Sequence, residues 1–131
     1  MKSGKKYSLS WEEDWKIAKD FLKAAENNFN LDDYKTAANR AYFTAESAII
    51  AALKFNSQPV SKNHKNIWTY SKLLSLEIDT FSLLRELYDM RLQADYSNIS
   101  YIIELSKDNL NIQLSKVRDL LKEISDKYKL E

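Results

Sequence analysis

The chain contains no cysteine, one glycine, one proline and one histidine among 131 residues, and each scarcity removes a class of chemistry. Without Cys there is no disulfide framework, no thiolate nucleophile and no Cys-ligated metal site, which fits a reducing compartment and makes a cytoplasmic location the expectation. The only glycine, Gly4, lies near the N-terminus. Neither a glycine-rich phosphate loop nor a dinucleotide-binding turn can therefore be built. A di-iron bundle needs paired Glu-x-x-His motifs, which one His cannot supply. No metal or cofactor is expected. Ser-His-Asp catalysis would have to use His64, and no Ser sits in the strained turn that presents such a nucleophile.

Charge of one sign is also lacking. Lys and Arg number 20 against 19 Asp and Glu, so no global field draws in nucleic acid or an anionic membrane. No apolar run approaches the roughly 20 residues that span a bilayer, and no membrane association is expected. The N-terminal MKSGKKYSLS carries Lys2, Lys5 and Lys6 with no apolar stretch behind them. It reads as a basic flexible tail over residues 1–9 rather than a secretory signal. Asn98-Ile99-Ser100 matches a glycosylation acceptor, a pattern that arises often by chance.

What remains is the composition of a folded helical domain, assigned to residues 10–131: 44% hydrophobic, 30% charged, with few helix breakers. Its organising stretch is Asp33 to Phe55. On a helical wheel Tyr34, Ala37, Ala38, Ala41, Ala45, Ala48, Ile49 and Ala52 share one face, where small side chains let neighbouring helices approach. Phe43 and Ile50 lie nearly opposite, between Asn39, Glu46 and Lys54, so this helix is apolar on two sides and belongs at the centre of a bundle. The outer pair predicts an internal or dimer contact.

Around it the punctuation is regular. Ser10 and Glu13 have capping-box spacing, followed by a stripe of Trp11, Trp15, Ala18, Leu22, Ala25 and Phe29. Asn27, Asn28 and Asn30 end that helix, and Asn30 is the expected cap of the central one. NSQPVSKNHK is the clearest loop. Beyond it His64 to Leu76 reads as a shorter helix that buries Ile67, Trp68 and Leu74. Asp79 or Thr80 caps a fourth helix with Phe81, Leu84, Leu87 and Tyr88 inward. Ser97 to Leu105 reads as an extended strap, and Ser106 to Tyr128 as a last helix with Leu110, Leu114, Val117, Leu121, Ile124 and Tyr128 on its stripe.

Continuing the fourth wheel brings Arg91 and Asp95 onto the apolar face and leaves Glu86, Asp89 and Gln93 outside. An unpaired ion on a core face is costly. Arg91 and Asp95, one turn apart, are therefore expected to compensate one another, with Glu46 or a Tyr hydroxyl taking the remaining donors. Their bland role is a structural ion pair that fixes helix register; their functional role is an anion site at the bundle mouth. Arg40 and the basic loop residues Lys62, His64 and Lys65 complete the set of polar candidates.

Three segments in order, AANRAYFTAESAIIAAL, SKNHK and LLRELYDMRLQADYSN, resemble the HEPN family of small helical proteins. Arg40, Ala41, Tyr42 and Phe43 match its Arg-Ala-Tyr-aromatic run, His64 its His after the loop, and Arg91, Ala94, Asp95 and Tyr96 its Arg followed by Ala-Asp-Tyr. The resemblance implies an all-α, antiparallel up-and-down bundle of four to five helices, commonly a homodimer, here through Phe43 and Ile50. It also implies a minimal nucleotidyltransferase as partner in a toxin-antitoxin pair. Active relatives are metal-independent ribonucleases in which a His follows the Arg after four to six residues. Here that window holds Tyr96, Ser97 and Asn98, and Tyr does not readily replace a group that titrates near neutrality.

The expectation is a binder of nucleotide or protein partner at Arg91, Asp95, Tyr96, His64 and Lys65, without ordinary ribonuclease activity. The alternatives are a ribonuclease toxin using Arg91 for phosphate and His64 for proton transfer, and a purely structural dimeric scaffold.

Overall fold

The structure, a computed structural model, describes residues 9–96 and 100–131. Five α-helices follow one another: α1 (Trp11–Asn30), α2 (Tyr34–Phe55), α3 (His64–Tyr70), α4 (Thr80–Asp95) and α5 (Lys107–Tyr128), with a 3-10 turn, Ser71–Leu74, extending α3. No strand occurs among the described residues. The expected tail, apart from Leu9, and the acceptor residues Asn98 and Ile99 lie outside them.

Local chemistry sets the helix starts. Ser10 accepts from Glu13 N while the Glu13 carboxylate accepts from Ser10 N, so two free donors are satisfied reciprocally. Asp33, Asn63, Asp79 and Ser106 cap the other four helices through side-chain oxygens. The central helix is thus capped by Asp33, not by Asn30, which is still the last residue of α1. The reversal takes three residues outside both helices, Leu31 to Asp33, and Asp32 takes a positive φ of 63° there, a conformation that Asp and Asn tolerate better than most residues.

Helix α2 runs through the middle. From Ala37 to Leu53 all its alanines are buried, together with Tyr42, Thr44, Glu46, Ile49 and Leu53, while Phe43 and Ile50 are half-buried. Antiparallel packing follows from the pairings. Tyr42 meets Tyr88 and Phe43 meets Arg91, so numbers rise along α4 as they fall along α2. Gln113 donates to Glu86, and Glu123 accepts from the backbone of Glu77 and Ile78, which sets α5 against α4 in the same sense. Lys54 joins α2 to α1 through Asp14 at 2.7 Å and also donates to the Leu9 carbonyl.

The fourth helix corrects the wheel. Glu86, Asp89 and Gln93 are half-buried rather than outside, because α5 meets Glu86 through Gln113 and the segment after α4 folds back over Asp89 and Gln93. Asp89 Oδ2 accepts from Ile102 N and Ile103 N, and Gln93 donates to the Ile103 carbonyl and accepts from Leu105 N. Residues 100–105 are neither helix nor strand, and Ile103 and Leu105 pack onto the core. The described part of the expected strap is therefore pinned by two polar side chains of α4.

Candidate functional site

The polar cluster forms where α2, α3 and α4 meet. Tyr42 and Glu46 are one turn apart on α2, so both side chains reach the same neighbour. Asn63 starts α3 by accepting from Asn66 N, which sets His64, the first residue of the helix, against them. Glu46 Oε2 receives Tyr42 Oη at 2.6 Å and His64 Nδ1 at 2.6 Å, and Trp68 Nε1 donates to Tyr42 Oη at 3.1 Å.

The network assigns its own protons. An ionised Glu46 offers only acceptors, so both groups at Oε2 donate to it. Tyr42 then spends its proton on Glu46 and its lone pair on Trp68. His64 carries a proton on Nδ1, a tautomer inferred from the hydrogen bonds, and presents Nε2. Glu46 is sealed in, with 10% of its side chain exposed, while 35% of His64 reaches solvent. Burial first, and the bond to Glu46 second, push the Tyr42 hydroxyl well above the ordinary phenol range. It stays a neutral donor.

Arg91 reaches this cluster from α4. Its guanidinium lies 4.9 Å from the Phe43 ring centre, 5.5 Å from Tyr88 and 5.9 Å from Tyr42, inside the range of cation–π attraction. The His64 ring packs against two of the same rings, 5.2 Å from Tyr88 and 5.6 Å from Tyr42. Arg91 and His64, far apart in sequence, thus border one aromatic surface. Arg91 Nε is buried and has no hydrogen-bond partner among the described residues.

The expected Arg91–Asp95 pair does not form. No ion pair within 4.0 Å joins them among the described residues. Asp95 is the last residue of α4 and is exposed, whereas Arg91 crosses to the rings of α2 instead of running along its own helix. Glu46 is likewise held by Tyr42 and His64, not by Arg91. Tyr96, 61% exposed, ends α4 beside Asp95. Lys62 and Lys65 are exposed on the loop and on α3 and join no ion pair among the described residues. Phe43 packs on Phe21 at 5.7 Å and carries Arg91 on its other contacts. It is part of the site's wall.

Glu46 is the functional residue that sequence reading undervalued. The signal was its spacing from Tyr42, four residues along a helix otherwise filled with alanine. Among the described residues no group of three or more His, Asp or Glu side chains is placed to hold a metal ion. The arrangement suits anion binding by Arg91 beside an imidazole whose outward nitrogen can accept or deliver a proton.

The described residues form an all-helical bundle, as expected of small helical HEPN-type domains. The family model for the HEPN domain matches residues 11–128, and the chain belongs to that family. No curated protein matches the chain. Among the described residues no helix is long and apolar enough to cross a membrane.

Proposed function

We propose that this HEPN protein binds phosphate-bearing nucleotides at Arg91, with His64 as the second polar group, and works as the partner of a minimal nucleotidyltransferase in a toxin-antitoxin pair rather than as an ordinary ribonuclease. The observation that carries the binding role is the buried Arg91 Nε without an acceptor, on a guanidinium that pairs with no carboxylate within 4.0 Å among the described residues. A buried N–H donor without an acceptor is costly. A phosphate oxygen supplies the missing charge-assisted bond, worth about 1.5–3 kcal/mol. The nucleotidyltransferase partnership rests on the family resemblance. The want of ribonuclease activity rests on the Tyr96-Ser97-Asn98 run after Arg91, where active relatives carry His.

Arg91→Gln is expected to weaken nucleotide binding at least tenfold in calorimetric titration, while circular dichroism still reports a folded helical protein. Unchanged binding, or loss of the fold, contradicts the reading. Homodimerisation through Ile50 and the rim of Phe43 belongs to the same proposal, and light scattering that shows a monomer throughout the micromolar range excludes it.

One observation favours a second reading, in which the protein cleaves RNA. Glu46 orients the His64 imidazole and leaves Nε2 for proton transfer. Incubation with RNA in the presence of chelator separates the two: cleavage lost in His64→Ala supports the nuclease, and no cleavage above that variant supports binding alone.

A further inference from the structure

Three elements bring charged or titratable groups to His64. From α2, the Glu46 carboxylate and the Tyr42 hydroxyl face its Nδ1 at 2.6 and 3.2 Å. From α4, the Tyr88 ring packs on the imidazole at 5.2 Å, and the Arg91 guanidinium stands 5.5 Å from the centre of that same ring. Lys62 precedes His64 in the loop and Lys65 follows it on α3, both exposed. Among the described residues Glu46 is the carboxylate paired with His64.

These bonds leave a neutral imidazole with the wrong polarity for an anion. With the proton on Nδ1 held by Glu46, Nε2 turns a lone pair outward. A phosphate oxygen also offers lone pairs, so the two repel instead of bonding. The charges act in the same sense. While His64 is neutral, Arg91 and Glu46 carry equal and opposite charge, and an entering phosphate meets no net positive charge from the three. One added proton reverses both conditions: Nε2 becomes a donor, and the site gains a positive charge.

Arg91 repels the protonated ring and Glu46 attracts it. A phosphate seated between Arg91 and Nε2 adds attraction on the outward side, and it favours the protonated ring whatever the balance in the free protein. By linkage the proton favours the phosphate to the same degree.

We infer, on the nucleotide-binding reading above, that a phosphate binds at Arg91 together with one proton from solvent, which joins His64 Nε2, and that Glu46 is the buried counter-ion of the resulting imidazolium. Glu46 is then a positioning residue with a second task, and pH governs the occupancy of the site. Imidazole is the side chain suited to this, since its ordinary titration falls between about pH 5 and 8.

His64 is the only histidine of the chain, so the unaltered protein carries its own probe. Its ring 15N and 13C signals, recorded at about pH 7.5, are expected to move to imidazolium positions as AMP saturates the site. Calorimetry in buffers of different ionisation enthalpy counts the protons: about 0.5–1 taken up per AMP in wild type, and close to none in His64→Gln. From about pH 7 to 8 the Kd for AMP is expected to rise roughly three- to tenfold in wild type and less than twofold in His64→Gln. The last ionisation of the phosphate, near pH 6, lies below that range. Glu46→Gln keeps an acceptor for the Nδ1 proton without the charge and is expected to lower the uptake. AMP bound with the ring signals unmoved, or uptake that persists in His64→Gln, overturns the coupling and leaves the nucleotide reading standing. Full uptake in Glu46→Gln contradicts the role given to that carboxylate. If AMP does not bind wild type at any pH, the nucleotide reading fails and the coupling with it. The ring signals of the wild-type protein decide the matter even if neither variant folds.

Discussion

At the scale of single residues, Tyr42 ties the site to the core. Its hydroxyl is the acceptor for the buried Trp68 Nε1 and a donor to Glu46, so Tyr42→Phe leaves one buried donor unpaired and removes one of the two bonds that hold the carboxylate. A cost of about 1–3 kcal/mol is expected in urea denaturation. The raised Tyr42 hydroxyl also gives stability a pH dependence. The folded protein keeps this proton where the unfolded chain loses it, so the contribution is whole below the phenol's ordinary 10.0 and drains away as pH rises above it. Stability measured from pH 8 to 11 should therefore fall less steeply in Tyr42→Phe than in wild type. Equal slopes would show that Tyr42 ionises like any phenol.

The residue scale is also where the sequence was least legible. A helical wheel places Cα positions, and it set Arg91 and Asp95 together on the apolar face, whereas Asp95 is exposed at the helix end. It says nothing of where a long side chain goes once the helix has neighbours, and the three rings around Arg91 come from both α2 and α4. His64 posed the same difficulty. Its spacing from Glu46 across a loop has no periodicity to read, so the sequence offered it as a polar candidate without naming its partner.

At the scale of elements, helix starts were readable wherever a side chain and its target lie three residues apart. The Ser10–Glu13 box is the clearest case, and Ser10→Ala is expected to cost about 1 kcal/mol. Asp79 is a further one: its carboxylate accepts from Ser82 N and Oγ, and the backbone bond holds its proton affinity below the ordinary 3.8. Its help to α4 is thus present above that value and is lost as pH falls through the folded value. The described part of the strap, residues 100–105, was readable as non-helical from its β-branched composition, but its path was not, because the groups that anchor it belong to α4. Asp89→Ala should release it. Faster amide exchange at Ile102 and Ile103, with the α5 amides unchanged, is the expected signature, and unchanged exchange at those two amides would assign the anchoring elsewhere.

At the scale of the whole molecule, the fold was legible because each helix carries a stripe of one period and one central helix is apolar on two sides. Alanine on α2 makes the close approach of its neighbours feasible, and burial of twelve of the seventeen residues from Ala37 to Leu53 is the result. The site arises from that same centrality. Tyr42 and Glu46 lie on the buried sides of this helix, so their polar atoms meet partners from α3 inside the bundle, and Arg91 is drawn over the aromatic rim. Fold and site thus share one cause.

The central claim is that the Arg91 guanidinium stands in the bundle without an anion and receives one from a nucleotide. Side-chain 15N–1H spectra of the Arg Nε–H groups during titration with AMP measure this directly. The Arg91 signal is predicted to shift and saturate together with the calorimetric binding curve. Saturable binding of AMP with the Arg91 signal unmoved would contradict the account.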